Sequence, residues 1–339
     1  MKTKIFLFAM VSVIVCLFFA SMSAAQDADA RQLLQSAHDV SGLAPLLPYE
    51  LHAVVVINPG APNQKKGQIV IYRDQGRSRT DLQVEDYREL KITLGGKLYV
   101  ARSTPMPIPG LGHLAETDRA WDRMAEDGDA KLSDVSHKKV QNIAANCFEV
   151  KALDKHRLCF DPARKVLLQK LDQHFAWEFS DYSAVSGSQN LFPHKITVLV
   201  ELEKSEKPVV IVQEIEVRHV RYPDNAFAVP EHSLEFETCE NLQPAKPLQS
   251  PHPDFGQSVI RRNFAAGQVN VYGIVDKEGK VQKVQVLSSD ADVQQAVREA
   301  LKQWRYSPAM CGPTPVATER EIQIPFFEFE GQASGRRSR

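Results

Sequence analysis

The C-terminal part of the chain shows the clearest alternation of hydrophobic and polar positions. In QVNVYGIV (residues 268–275), Val269, Val271 and Val275 alternate with residues of the opposite face, which predicts a β-strand. DKEGK follows as a turn in which Gly279 can take a positive φ, and VQKVQVLSS returns as a second strand. The pattern therefore predicts a β-hairpin.

A long amphipathic helix is predicted directly after this hairpin. Its apolar positions recur at helical spacing and form one stripe: Val293, Ala296, Val297, Ala300, Leu301 and Trp304. Ser289 or Asp290 can cap its first turn, and Pro308 prevents the helix from continuing. A shorter helix in DFGQSVIRRNFAAG and a final strand in TEREIQIPFFEFE complete the unit. Because the stripe must pack on the hairpin, we predict two helices on a three-stranded antiparallel sheet.

The longer region before this unit is dominated by strand patterns. β-branched or aromatic runs, broken by Gly, Pro, Asn or Asp, occur in YELHAVVVI, KGQIVIYR, YRELKITL, GKLYVAR, KVLLQKLD, FAWEFSDY, HKITVLVEL and PVVIVQEIEVRHV. Helical patterns interrupt them only in DARQLLQSAHDVSGL and ETDRAWDRMAED. Many strands in series with one or two helices predict a large curved antiparallel sheet or half-barrel, which can bury an apolar ligand. The chain is therefore expected to be of the α+β class.

A Pro-rich segment separates the two regions. Four prolines fall within ten residues of CENLQPAKPLQSPHPDFG, which has no apolar periodicity and predicts an extended linker. We expect a β-rich domain at 26–238, the linker at 239–253 and the C-terminal domain at 254–330. The last residues, 331–339, are expected to form a disordered basic tail.

The N-terminus has the pattern of a secretory signal. Lys2 and Lys4 precede an apolar run of 16 residues, Ile5–Ala20, and the small residues Ser23–Ala25 follow. We expect cleavage before Gln26, so that residues 1–25 are removed and the mature chain is exported. The run is shorter than the ~20 residues of a membrane-spanning helix. Its extension through the small residues nearly reaches that length, so an uncleaved helix anchored in the inner membrane is the alternative.

Charge and composition are those of an ordinary soluble globular protein. The formal net charge is −1, with 43% hydrophobic and 24% charged residues, so there is no electrostatic reason to expect nucleic acid as a partner.

Four cysteines remain after removal of the signal, an even number in an exported chain. Cys147 and Cys159 flank two short strand patterns around a turn, which would place them opposite each other. We expect two local disulfides, Cys147–Cys159 and Cys239–Cys311. Four free buried thiols are the alternative, and the absence of CxxC and HxxxH spacings disfavours zinc.

The sequence has no motif of a known catalytic site. GxSxG, a Gly-rich phosphate loop and HExxH are all absent. His113, Glu116 and Asp118 form the densest group of acids near a histidine, and the simpler interpretation is a solvated helix start whose acids favour the positive end of the helix dipole. We therefore predict no catalytic residue, metal site or cofactor.

The C-terminal unit resembles the C-terminal domain of the TonB energy-transducer family. The resemblance rests on G-x-V-x-V-x-x-x-V-D-x-x-G-K-V from Gly267 to Val281, W-R-Y-x-P-A from Trp304, G-x-x-P-V-A from Gly312, and the closing strand IQIPFFEF. It covers about a quarter of the chain and implies a location in the periplasm or cell envelope.

This resemblance implies that the last strand binds a partner by strand addition. In the family, a short extended peptide of an outer-membrane TonB-dependent transporter is added to the edge of the sheet, and another envelope protein could be bound in the same way. Pro325 is compatible with an edge strand, since a central strand would lose a ladder hydrogen bond there. The residues expected to bind the partner are Ile322, Gln323, Ile324, Pro325 and Phe326.

Two departures from the family argue against energy transduction itself. Ser12 lies in the apolar run, but the run has no histidine to engage a proton-driven motor. The linker of about 15 residues spans only about 45 Å at ~3.1 Å per residue.

The β-rich region resembles the LolA/LolB-like lipoprotein-carrier superfamily. SGSQNLFPHKITV and YPDNAFAVP are similar to the closing pattern of that superfamily. The resemblance implies a lipid or other apolar ligand, although the simpler interpretation is that Phe175, Trp177, Phe179 and Tyr182 fill a structural core. Two hypotheses remain open: an envelope adaptor that docks partner proteins, and a periplasmic carrier of an apolar ligand.

Overall fold

The computed structural model describes most of the chain in two compact units. The described residues are 29–43, 46–105, 107, 131–151, 155–171, 175–200, 207–239, 242–263 and 267–326. One unit lies within Met1–Leu90 and Pro109–Ala228, and the other within Lys91–Ile108 and Val229–Arg339; we call them the N-terminal and C-terminal units. The signal, the second helical pattern with His113, Glu116 and Asp118, and the tail 331–339 lie outside the described residues.

The N-terminal unit begins with a helix, α1, at residues 29–41. Leu34 and Ala37 of the predicted apolar face are buried. The helix ends at Gly42, whose N–H donates to the carbonyl of His38 at 2.7 Å. An added Cβ on Gly42 would lie only 2.6 Å from that same oxygen, so the residue at this position must be small.

A large antiparallel sheet forms the rest of the unit. Its strands are β1 (Tyr49–Ile57), β2 (Lys65–Asp74), β3 (Arg77–Val84), β6 (Ser136–Val140), β7 (Ile143–Lys151), β8 (Lys155–Asp161), β9 (Val166–Leu171), β10 (Phe175–Ala184), β11 (Leu191–Val200) and β12 (Pro208–His219). The spatial order is β3-β2-β1-β12-β11-β10-β9-β8-β7-β6, and sequential neighbours pair antiparallel. A further strand, β4 (Tyr87–Leu94), crosses from the residues of one unit to those of the other. The large antiparallel sheet expected from the sequence is confirmed.

Alternate side chains of these strands form the core. Val55, Ile71 and Ile196 are fully buried, and the Phe148 and Phe160 rings stack with their centroids 5.7 Å apart. Each strand places successive side chains on opposite faces, so the alternating sequence pattern becomes one buried and one solvated face.

Two of the aromatic residues of β10 also occupy the core. Trp177 and Phe179 are 5% and 1% exposed. The Tyr182 hydroxyl donates to the carbonyl of Leu167 at 2.6 Å, and burial raises the pKa of this phenol far above its ordinary value. These contacts are structural.

The YPDNAFAVP segment lies at the end of the N-terminal unit and contributes to a cluster of aromatic side chains. The Tyr222 ring meets Tyr72 and Phe227 edge-on at centroid distances of 5.7 and 5.4 Å. Its hydroxyl donates to the carbonyl of Tyr49, and the Arg77 guanidinium lies 4.6 Å from the centroid of the Phe227 ring. This cluster fixes the 3-10 turn Asp224–Phe227 against the sheet.

The first predicted disulfide joins two neighbouring strands of this sheet. Cys147 on β7 and Cys159 on β8 are directly opposed, with Cα atoms 4.1 Å apart. Both cysteines are fully buried, so the disulfide lies in the hydrophobic core.

The C-terminal unit contains two helices and several short sheets. Its elements are β5 (Lys97–Arg102), β13 (Leu234–Glu237), β14 (Leu242–Gln243), β15 (Lys246–Gln249), α2 (Gln257–Asn263), β16 (Gln268–Val275), β17 (Val281–Leu287), α3 (Ala291–Gln303), β18 (Arg305–Ser307), β19 (Ala309–Cys311), β20 (Thr314–Val316) and β21 (Thr318–Pro325). The central sheet has the order β17-β16-β21. The predicted arrangement of two helices with a three-stranded antiparallel sheet, and the α+β class of the chain, are confirmed.

The apolar stripe of α3 packs into the core of this unit. Asp290 is the N-cap and accepts a hydrogen bond from the Asp292 N–H, while Val293 and Val297 are fully buried. Trp304 is 7% exposed, and its indole Nε1–H donates to the carbonyl of Pro251 at 2.8 Å. The stripe therefore joins the helix to the sheet, as the periodicity indicated.

The Pro-rich segment expected to be a linker is paired with this unit. β14 pairs with β19 and β15 pairs with β18, both antiparallel. The second predicted disulfide, Cys239–Cys311, closes a loop of 72 residues and attaches the start of the segment to the end of β19.

Candidate functional site

The edge strand β21 is the candidate site. Among the described strands it pairs only with β16, antiparallel, in a register that opposes Gln268 to Pro325 and Val271 to Ile322. The N–H of Phe326 donates to the carbonyl of Gly267 at 3.0 Å, which fixes the direction of the alternating backbone groups. In an antiparallel ladder every second residue bonds to the partner strand. The backbone N–H and C=O groups of even-numbered residues of β21 therefore point toward β16, and those of odd-numbered residues point away from it.

The five residues expected from the sequence divide accordingly. Ile322, Ile324 and Phe326 are 8%, 2% and 3% exposed and contribute to the hydrophobic core. Gln323 and Pro325 are exposed, and their backbone groups point away from β16, toward the free edge of the sheet. Of the five, only Gln323 can offer both an N–H and a carbonyl to an added strand.

The segment before α2 closes the C-terminal end of this edge. The Nε2–H of His252 donates to the carbonyl of Pro325 at 2.7 Å. Its ring meets Phe255 edge-on at 5.4 Å, and Phe255 lies 5.1 Å from the Phe326 ring. Pro325 has no N–H, and its carbonyl is occupied. The groups left for a partner are therefore those of Glu319, Glu321 and Gln323, which we call the docking edge.

An ion pair that the sequence did not indicate holds the N-terminal end of the docking edge. Arg102 donates to both carboxylate oxygens of Glu319, at 2.6 and 2.9 Å. The Tyr272 hydroxyl also donates to this carboxylate, and burial, followed by the hydrogen bond to Glu319, raises the pKa of Tyr272 well above its ordinary value. The Arg102 side chain is only 4% exposed and that of Glu319 is 26% exposed, so the cation of the pair is buried. The two partners are 217 residues apart, and no sequence motif relates them.

Hydrophobic contacts accompany this ion pair on the same face of the sheet. Val100 of β5, Phe236 of β13 and Ile274 of β16 are buried against one another. β5 and β13 pair antiparallel, with Val100 opposite Leu234. The β5–β13 pair therefore packs on the face of β16 that lies opposite the helices, next to the Arg102–Glu319 ion pair.

Metal chemistry has no candidate in the described part of the chain. Across those residues, no group of three His, Cys, Asp or Glu side chains could hold a metal ion. Within the same ranges, no helix is both long enough and apolar enough to cross a membrane.

The C-terminal unit also matches a protein family. Residues 251–327 match the family model of the Gram-negative bacterial TonB protein C-terminal. This confirms the resemblance stated for the last part of the chain.

Solved structures with recognisable similarity are distant in sequence. A LolA superfamily protein from Nitrosomonas europaea is 14% identical, with a TM-score of 0.44, and the match covers 59% of this chain and 97% of that one. A DUF1329 family protein from Desulfovibrio piger is 12% identical, with a TM-score of 0.42 and coverages of 61% and 98%. The Pseudomonas aeruginosa TonB C-terminal domain is 22% identical, with a TM-score of 0.19 and coverages of 30% and 98%. No curated protein was found to match the chain.

Proposed function

We propose that this chain is an exported adaptor of the cell envelope whose C-terminal unit docks partner proteins by β-strand addition along β21. The observation that carries the proposal is the docking edge, which combines outward-facing backbone groups with a match to the TonB C-terminal family. An outer-membrane transporter or another envelope protein would supply the extended segment.

The chemistry of such an edge favours an extended peptide as the ligand. Glu319, Glu321 and Gln323 each direct one N–H and one carbonyl away from β16, which matches the repeat of a peptide strand. Main-chain hydrogen bonds then supply the affinity, and few side chains need to be specific.

Isothermal titration of the purified exported chain with transporter peptides tests this proposal. The peptides are taken from the periplasmic ends of the outer-membrane transporters of the same cell. Gln323→Pro should abolish binding because it removes an outward N–H and no hydrogen bond to β16. Gln323→Ala keeps the N–H and should bind nearly as the native chain does. Circular dichroism of the proline variant checks that it folds.

The proposal fails on either of two results. One is that no peptide binds at about millimolar concentration, which corresponds to roughly −4 kcal/mol. The other is that the proline and alanine variants bind equally well, since the backbone would then not provide the contact.

The carrier role of the N-terminal unit stays a prediction. Native mass spectrometry of the protein purified from its own envelope would reveal a retained lipid directly. Protein that is released without any bound lipid would contradict a carrier role.

A further inference from the structure

Two neighbouring charged side chains of β21, those of Arg320 and Glu321, point to opposite faces of the sheet. Glu321 is exposed, and the described residues provide it with no ion pair. Arg320 is half-buried on the side of Ile322, and its Nε has no hydrogen-bond partner in the described part of the chain. Glu319 differs from both, because Arg102 already neutralises its carboxylate.

Arg320 lies on the same face of β21 as the buried residues Ile322 and Ile324, because alternate side chains of a strand share a face. Burial raises the pKa of Tyr306, and the nearby Arg320 guanidinium partly offsets this rise. Tyr306 is 5% exposed and belongs to the core of the C-terminal unit. Arg320 therefore lies on the helix-facing side of β21, where the residue directly opposite it on an added strand would be its cross-strand neighbour.

Pairing with a second copy of the chain is disfavoured by these same charges. An antiparallel pair centred on Glu321 opposes two glutamates, and a pair centred on Arg320 opposes two arginines. Like charges directly opposite each other destabilise a sheet. Registers shifted towards the C-terminus bring Pro325, which has no N–H, into the ladder. The charge pattern favours a different partner strand.

We propose that the docking edge selects a partner strand with adjacent opposite charges, an acidic residue opposite Arg320 and a basic residue opposite Glu321. The inference rests on the proposed strand addition. Successive side chains of an added strand point to opposite faces, so two neighbouring residues reach the two charges of the edge at the same time. Each matched cross-strand pair should tighten binding about twofold to fivefold.

The test compares four acetylated and amidated hexapeptides that differ only at the central pair. Thr-Val-Lys-Glu-Val-Thr and its Glu-Lys order carry mixed charges, and the Lys-Lys and Glu-Glu peptides carry like charges. Isothermal titration of the purified exported chain should show one mixed peptide binding about threefold to tenfold tighter than either like-charged peptide. The better mixed order reports the direction of the strand: Lys-Glu runs antiparallel to β21 and Glu-Lys parallel to it.

Charge reversal in the protein gives a matched set of controls. Glu321→Lys should shift the preference to the Glu-Glu peptide, and Arg320→Glu should shift it to Lys-Lys. Glu321 is exposed, so its substitution leaves the fold intact; Arg320→Gln serves as a second, neutral variant at the half-buried position. The preferences should weaken in about 0.5 M salt because exposed charges are screened.

The outcomes separate this inference from strand addition itself. If all four peptides bind equally and Gln323→Pro weakens all of them, strand addition stands and the charge selection is wrong. If the preference of Glu321→Lys equals that of the native chain, the charge selection is also wrong. If no peptide binds at about millimolar concentration, both proposals fail.

Discussion

Replacement of Gly279 by alanine should destabilise the C-terminal unit strongly. The residue has φ +77, a conformation that L-residues rarely adopt. An alanine Cβ at this position would lie 1.9 Å from the carbonyl oxygen of Tyr306. Backbone atoms cannot rotate away as a side chain can, so the turn and β18 must separate. This separation breaks the hydrogen bond from the Tyr306 N–H to the Gly279 carbonyl, which is 2.9 Å long.

The magnitude follows from three contributions. A non-glycine residue in the left-handed region costs about 1–2 kcal/mol. Loss of the hydrogen bond leaves the N–H of a buried residue unsatisfied, which costs about 1–3 kcal/mol. The stiffer unfolded chain of the alanine variant offsets about 0.4–1 kcal/mol of this. We expect a net loss of about 2–4 kcal/mol in the free energy of unfolding.

Gly312→Ala is the matched control, because Gly312 has φ +57 and nothing in the described part of the chain lies within 4 Å of an added Cβ. It should lose only about 1 kcal/mol, from the backbone conformation alone. Urea unfolding of the two variants measures the difference, and hydrogen exchange at the Tyr306 amide should accelerate only in Gly279→Ala. Equal destabilisation of both variants would show that the close approach to Tyr306 is not the cause.

Three further predictions concern the ion pair, a disulfide and a buried carboxylate. Arg102→Gln should lower the free energy of unfolding by about 2–3 kcal/mol, because Glu319 keeps its charge without a cation; a loss below about 0.5 kcal/mol in urea would contradict this. Replacing Cys239 and Cys311 by serine should cost about 4 kcal/mol, against about 3 kcal/mol for the other disulfide, since the loops span 72 and 12 residues. The reverse order in urea unfolding would contradict the loop argument. Burial raises the pKa of Asp161, but hydrogen bonds from Arg164 and the following backbone outweigh it and lower the pKa below its usual value of 3.8. The ionised carboxylate therefore stabilises the folded state above that pH, and this stabilisation is lost as the pH falls through the lowered pKa. Asp161→Asn should therefore weaken the fall of the unfolding free energy at acidic pH. An unchanged fall would contradict this role of Asp161.

Local sequence patterns were enough to predict the two helices and the three-stranded central sheet of the C-terminal unit. The spacing of Val293, Val297 and Leu301 predicts the buried stripe of α3, because the helical repeat alone decides which side chains share a face. The glycine at position 279 marks the turn of the hairpin for a similarly local reason, since its φ is positive. The Cys147–Cys159 pair was also predictable from local pattern, because a turn between two strand patterns places the two residues opposite each other.

The backbone directions along β21 could not be predicted from the sequence. The alternation of Ile322 and Ile324 predicts a strand with one buried face. Which N–H groups point toward the free edge of the sheet depends on the register with β16. The hydrogen bond from His252 to the Pro325 carbonyl joins residues 73 positions apart, so no local pattern indicates it. The sequence therefore predicted a strand with one buried face, and the fold decided which of its backbone groups point away from β16.

Contacts between distant segments were decided only by the tertiary structure. The Pro-rich segment was expected to be a linker, and its pairing with β18 and β19 corresponds to no periodic pattern in the sequence. The pairing of β5 with β13 likewise corresponds to no periodic pattern. Neither does the ion pair of Arg102 and Glu319, which are 217 positions apart in the sequence. Periodicity reports which face of an element is buried, because that depends on neighbours along the chain. It does not report which element covers that face, because many apolar surfaces could do so and only the packing of the whole unit selects one.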